Sequence, residues 1–441
     1  MKLRNLIQLA LLATVVMFTV PSCVKEGPMG PAGEKGADGT NGTDANQTCK
    51  ACHNPTSVDL IATQFEFSKH SYGEAAFGEA GQLACTPCHA QEAFKYVVKN
   101  NVLSTFSPDP AKPGKFINNY ATVPSAAYGK IGCSTCHSSI HSTYGSTDMV
   151  FTTVAPVPMT MWAGAKIIDL KQDNGSSNLC VKCHQPRPQT NLQTGNVQDY
   201  NFIRDNPSVL AFDSINPTAT TNIVRPSYRM HIHYGAIGAV FAGMGGIEFV
   251  GSLPYTSSAH TTKAACTDCH MGAIVGRSGG HTFSALGKFD GCNATGCHST
   301  AIDAKNTTLW INPRAEIKTL LDNLAAKLVV VKANGTKVDI LNRNSDAVSN
   351  LWIGITTNNY DGYLNVYDPT LAPNAGLQNS SPGGSWSADQ KALNLKLPKV
   401  SLTNAQYGAI INFQLCLRDY SLGIHNFNYT KALLTNSIAK L

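Results

Sequence analysis

Downstream of Thr300 the hydrophobic positions fall into regular periods. Ile317, Leu320, Leu321, Leu324 and Leu328 recur at helical spacing, so Ala315 to Leu328 is predicted to form a helix with one apolar face. Val329-Val330-Val331 through Ile340 reads as a strand or hairpin, with Asn334-Gly335 as its turn. Asn350 to Tyr367, with several aromatics, reads as another, and Leu377 to Ser387 as a polar Gly/Ser/Pro loop. Thr403 to Leu417 is predicted helical with Thr403 as its cap, and a last helix follows His425 to about Ile438. Cys416 is expected to be a buried core thiol. From about Thr48 to Thr300 the pattern differs: Gly, Pro and Ser are frequent and no long period develops.

The N-terminus, residues 1–22, reads as a lipoprotein signal peptide. Lys2 and Arg4 precede an apolar run from Leu6 to Val20, about 15 residues, too short to span a bilayer stably and suited to a signal sequence. The run ends in Val20-Pro21-Ser22-Cys23, which resembles a bacterial lipobox and makes Cys23 the candidate for lipidation. Residues 23–47 form a Gly-rich tether in which glycine recurs at every third position from Gly27 to Gly42. That is a collagen-like repeat, but so short a run suits an extended polar spacer better than a triple helix. Charged residues are 14% of the 441-residue chain, against roughly 25% in average soluble domains. Asn, Thr, Ser and Gly fill the surface instead, as in many exported proteins.

The chain has 14 cysteines, and their spacing carries the chemistry. Cys-x-x-Cys-His occurs at Cys49-Cys52-His53, Cys85-Cys88-His89, Cys133-Cys136-His137, Cys180-Cys183-His184 and Cys266-Cys269-His270. A sixth pair, Cys292 and Cys297 before His298, has two extra residues between its cysteines. Two thiols one short turn apart reach the two vinyl groups on one edge of a porphyrin, and the following imidazole then lies beneath the iron. A zinc ribbon also pairs Cys-x-x-Cys units but does not demand a histidine after each. A thioredoxin-like dithiol needs one pair, not six, and a disulfide framework would not order its residues in this way. The pattern therefore predicts six covalently bound haem c groups on twelve cysteines. These haems would replace side chains as the core between Thr48 and Thr300.

The chain has 13 histidines. Six follow the cysteine pairs, and His70, His141, His231, His233, His260, His281 and His425 remain to supply six second axial ligands, with one to spare. His141 follows His137 by four residues. If that stretch is helical, both rings leave one side, so His141 should serve a neighbouring haem. His260 lies just upstream of Cys266 and should likewise reach another iron, and His281 follows Gly279-Gly280 in a loop free to turn inward. His231 and His233 flank Ile232 and share one side of an extended segment; His233 is favoured as ligand and His231 is the expected spare. Met271 adjoins His270 and cannot cap the same haem. Iron with two imidazoles is saturated and sits at lower potential than iron with histidine and methionine, which describes an electron conductor.

Several segments resemble the multihaem cytochrome c group that includes the pentahaem nitrite reductases and their octahaem relatives. They are Ala259-His260-Thr261 with Cys266-Thr267-Asp268-Cys269-His270-Met271, Gly280-His281-Thr282-Phe283, His233-Tyr234-Gly235 with Gly243-Met244-Gly245-Gly246, and Arg418-Asp419-Tyr420-Ser421-Leu422-Gly423-Ile424-His425-Asn426. The last is similar to a family segment in which the histidine gives a sixth ligand at the mouth of a long C-terminal helix, although Phe427 stands where that family has proline. The family's reductases carry one haem on Cys-x-x-Cys-Lys with an open face. No such motif exists in this chain, which counts against nitrite reduction.

The expected fold is mainly α and irregular. A hexahaem domain spans 48–300, and residues 301–441 form a C-terminal helical scaffold with some β that returns a distal histidine. The expected function is electron transfer through low-potential bis-histidine haems, without catalysis, between redox protein donors and acceptors. The protein is expected to be exported and held by its lipid on the periplasmic or cell-surface side of the outer membrane. The alternatives are a haem-dependent reductase of a nitrogen or sulfur oxyanion and a docking cytochrome subunit. The formal charge is +6. Loss of Lys2 and Arg4 with the leader and the addition of twelve propionates would bring it to roughly −8, so no nucleic-acid partner is expected.

Overall fold

A computed structural model describes residues 53–54, 56–73, 78–121, 129–143, 146–227, 230, 232–331, 334–335, 337–343, 360–365 and 400–441. Residues 1–53 and 54–441 form separate compact units, and of the first only His53 is described. Cys23, Cys49, Cys52, His231, the glycine-repeat tether, the Leu377–Ser387 segment and most of Asn350–Tyr367 lie outside the described residues. Among the described residues, no helix is long and apolar enough to cross a membrane.

Three helices near the C-terminus build the main core. Asn312–Lys327 continues from a π-helical turn at Thr307–Ile311 and buries Ile317, Leu321, Leu324 and Ala325. Asn404–Arg418 is almost wholly buried, its polar residues included, as a core helix is. Thr403 caps it: its hydroxyl accepts from the Gln406 amide at 3.2 Å, while the Gln406 side chain accepts from the Thr403 amide at 2.9 Å. Phe427–Lys440 starts at Asn426, whose side chain accepts from the Tyr429 amide. All three helices pack on one another.

This core also draws in the first three hundred residues. Phe212, Val224, Ile232, Val240, Ile247 and Phe249 share one cluster with Ile317, Leu321, Phe413, Tyr429 and Leu433. The polar side chains of the central helix tie the two halves together. Asn412 donates to the Ile247 carbonyl and accepts from the Ile247 amide, at 2.8 and 2.7 Å, and Gln414 accepts from the Ile232 amide at 2.9 Å. Gly408 permits the close approach: a Cβ there would come 2.5 Å from the Phe249 ring.

Strands are short. Five two-stranded antiparallel pairs occur among the described residues. Val329–Val331 pairs with Lys337–Asp339 around Asn334-Gly335, where Gly335 takes φ +81. Leu341–Arg343 pairs with Tyr360–Leu364, and Leu210–Phe212 pairs with Leu402–Thr403. Before Thr300 the helices are brief and the side-chain clusters small, one around Val157, Met159, Ile168 and Phe241 and one around Ala90, Ala93 and Val97.

Candidate functional site

Most of the described cysteine motifs form a single helical turn. Thr86–His89, Cys133–Cys136 and Cys266–His270 are helical, and Ser176–Val181 leads into Cys183. The amides of His89, His137 and His184 donate to the carbonyls of Cys85, Cys133 and Cys180. Cysteines three apart on such a turn share one face, and the histidine follows over the first. The sixth motif is not helical. Its longer loop turns through Gly296 at φ +86 and is braced by Asn293, which donates to the Ile302 carbonyl and accepts from its amide.

The histidine rings meet in pairs. Ring centres lie 6.0 Å apart for His70 and His184, 6.4 Å for His89 and His233, 5.9 Å for His260 and His298, and 6.3 Å for His270 and His425. Each pair joins one motif histidine to one histidine from elsewhere, and none is used twice. A metal ion held by two imidazole nitrogens at about 2.0–2.1 Å sets the ring centres roughly 6 Å apart. His281 lies near enough to His137 to feel its charge. His260 therefore faces His298 and not the motif that follows it in sequence. His141 does not lie on a helix with His137. That helix ends at Cys136, and His141 sits exposed in a turn at φ +65. His53 is exposed.

The other ring nitrogen is held as well. Nδ1 of His137, His260 and His270 donates to the carbonyls of Met149, Ile424 and Phe283 at 2.8, 2.7 and 2.9 Å. Nδ1 of His425 donates to Oδ1 of Asp419 at 2.6 Å. Because each partner only accepts, these nitrogens carry the proton, and Nε2 keeps a lone pair for a metal. Burial favours the neutral ring that binds metal. It pushes His184 down to about 3, with His70, His270, His425 and His89 adding to the effect. It also lowers His70, His270, His281 and His298. At His425 burial pulls the same way, but the Asp419 carboxylate outweighs it and the pKa rises.

The loop between the last two helices is shaped for this contact. Tyr420 and Leu422 take φ +59 and +50, and Gly423 +87. Non-glycine residues in that region cost on the order of 1–3 kcal/mol each and persist only where the surroundings fix them. Ser421 donates its hydroxyl to Asp419 Oδ2 and accepts from the His425 amide. Sequence reasoning assigned Asp419 no role. The available signal was an acidic residue at a helix C-terminus, where the helix dipole disfavours it. The carbonyls that hold the other rings carry no side-chain signal at all.

The cysteines of different motifs adjoin. Cys88 and Cys183 hydrogen-bond through their side chains, as do Cys180 and Cys266. Cys136 lies close enough to Cys180 and Cys183, and Cys292 and Cys297 to Cys269, to act on their pKa values. No disulfide joins the ten described motif cysteines. Among the described residues no three His, Cys, Asp or Glu side chains converge as a tetrahedral zinc site needs. Apolar side chains beside the motifs face outward, including Leu83, Val150, Val275 and Leu286, each more than half exposed. Paired imidazoles beside two thiols one turn apart are a donor set that a covalently attached metalloporphyrin would fit. Comparison with protein families, curated proteins and solved structures returns no match for this chain.

Proposed function

We propose that this chain is a hexahaem c-type cytochrome, exported and anchored through lipid on Cys23 to the outer membrane, that passes electrons between periplasmic or outer-membrane redox partners. The observation that carries the reading is the pairing of histidines: four motif rings each meet one non-motif ring at the spacing of two ligands on one metal. On this reading His184 and His70, His89 and His233, His298 and His260, and His270 and His425 are axial pairs, with His137 served by His281. The twelve motif cysteines hold the haems by thioether bonds. Imidazole on both faces leaves no coordination position for a substrate, so these centres carry electrons at low potential. The acceptors at Nδ1 of His137, His260, His270 and His425 fix ring orientation.

The full chain, produced in a host that matures c-type cytochromes, tests this. Mass spectrometry is expected to find six haem additions on the twelve motif cysteines. Low-temperature EPR of the oxidised protein is expected to show low-spin ferric iron only. Zinc or disulfides in place of haem would overturn the proposal. A high-spin ferric signal that shifts with nitrite or hydroxylamine would replace the carrier with a reductase.

A further inference from the structure

The acceptors that hold the outer ring nitrogens of the ligand histidines are not all of one kind. His137, His260 and His270 donate to uncharged carbonyls, whereas His425 donates to a carboxylate whose side chain is 0% exposed. A buried carboxylate is costly unless its oxygens are satisfied. Here both are: His425 Nδ1–H serves Oδ1 and the Ser421 hydroxyl serves Oδ2. The left-handed residues Tyr420 and Leu422 hold Asp419, Ser421 and His425 in this arrangement. Resting on the haem reading above, we propose that Asp419 is a positioning residue that fixes His425 toward the metal shared with His270 and makes that centre harder to reduce than a carbonyl partner would.

The physical reason is charge. A carboxylate that accepts the Nδ1 proton increases the electron density on the imidazole and so favours the more positive, oxidised metal. Replacing it with an amide keeps an acceptor in place but removes the charge. Removing the Ser421 hydroxyl takes a proton donor away from the carboxylate and leaves it a stronger acceptor for His425. The two changes should therefore shift the centre in opposite directions, which loosened packing would not do.

The test is a potentiometric titration of the six-haem holoprotein, followed by EPR, for wild type, D419N and S421A. In D419N one centre of six is expected to favour reduction about tenfold more, a rise of about 59 mV for a one-electron couple. The low-spin signal of that centre should change with it, and the other five should stay in place. In S421A the same centre is expected to move down. Six haems with no shift in D419N, or a common shift of all six, would overturn the role of Asp419 and leave the haem reading intact. Fewer than six haems in wild type would overturn the haem reading itself. If D419N does not mature, S421A decides: an unchanged or upward shift rejects the proposal.

Discussion

At the scale of single residues, the two rings of a pair differ in how they can be found. A motif histidine is fixed by covalent neighbours, so all six can be read directly from the spacing of the cysteines. Its partner arrives from a distant segment: His70 meets His184, His233 meets His89, and His425 meets His270. Nothing local in the sequence encodes those meetings, because tertiary packing places the second ring. His260 is the sharpest case. It precedes Cys266 closely in sequence yet faces His298, with its Nδ1 held by the Ile424 carbonyl. If His260 and His298 share a haem iron as proposed, H260M should exchange an imidazole for a thioether and raise the potential of that centre. Redox titration of the holoprotein checks this, and an unmoved midpoint there would remove His260 as that centre's ligand.

At the scale of elements, legibility follows locality again. The Asn404–Arg418 helix was readable because its cap, Thr403, and its apolar run are contiguous, and the Val329–Val331 hairpin because Asn334-Gly335 marks its turn. The stretch from His137 to His141 misleads for an equally local reason. Asp148 accepts from the Thr143 amide at 2.9 Å and from the hydroxyls of Ser142 and Thr143. Side-chain contacts of this kind compete with helix continuation. The helix that follows Thr403 holds Ile232 through Gln414, one residue from His233, so its start bears on the site as well as on the core. T403A should lose one of the two capping bonds and destabilise the holoprotein by about 1 kcal/mol. A chemical denaturation midpoint measures it, with the haem spectrum expected to stay unchanged below the transition.

At the scale of the whole molecule, the cysteine contacts define an order. The Cys180–Cys183 motif touches Cys88 on one side and Cys266 on another, and Cys136 lies close by. The Cys266–Cys269 motif in turn neighbours Cys292 and Cys297. If each motif carries a haem at its sulfurs, then among the described motifs the centre at His184 is a junction that adjoins those at His89, His270 and His137, and the centre at His298 adjoins the one at His270. His184 reflects that placement, since His70, His270, His425 and His89 all act on its ring. The arrangement predicts how a change at the junction spreads. H70M should raise the potential of the His184 centre so that it is reduced first. A reduced low-spin centre is diamagnetic and stops broadening the ferric signals next to it. EPR of the partly reduced variant should therefore show sharpened signals from the centres at His89, His137 and His270, while the centre at His298 keeps its line shape. Equal sharpening of all centres, or of none, would reject the junction and leave the six haems as a group without this order.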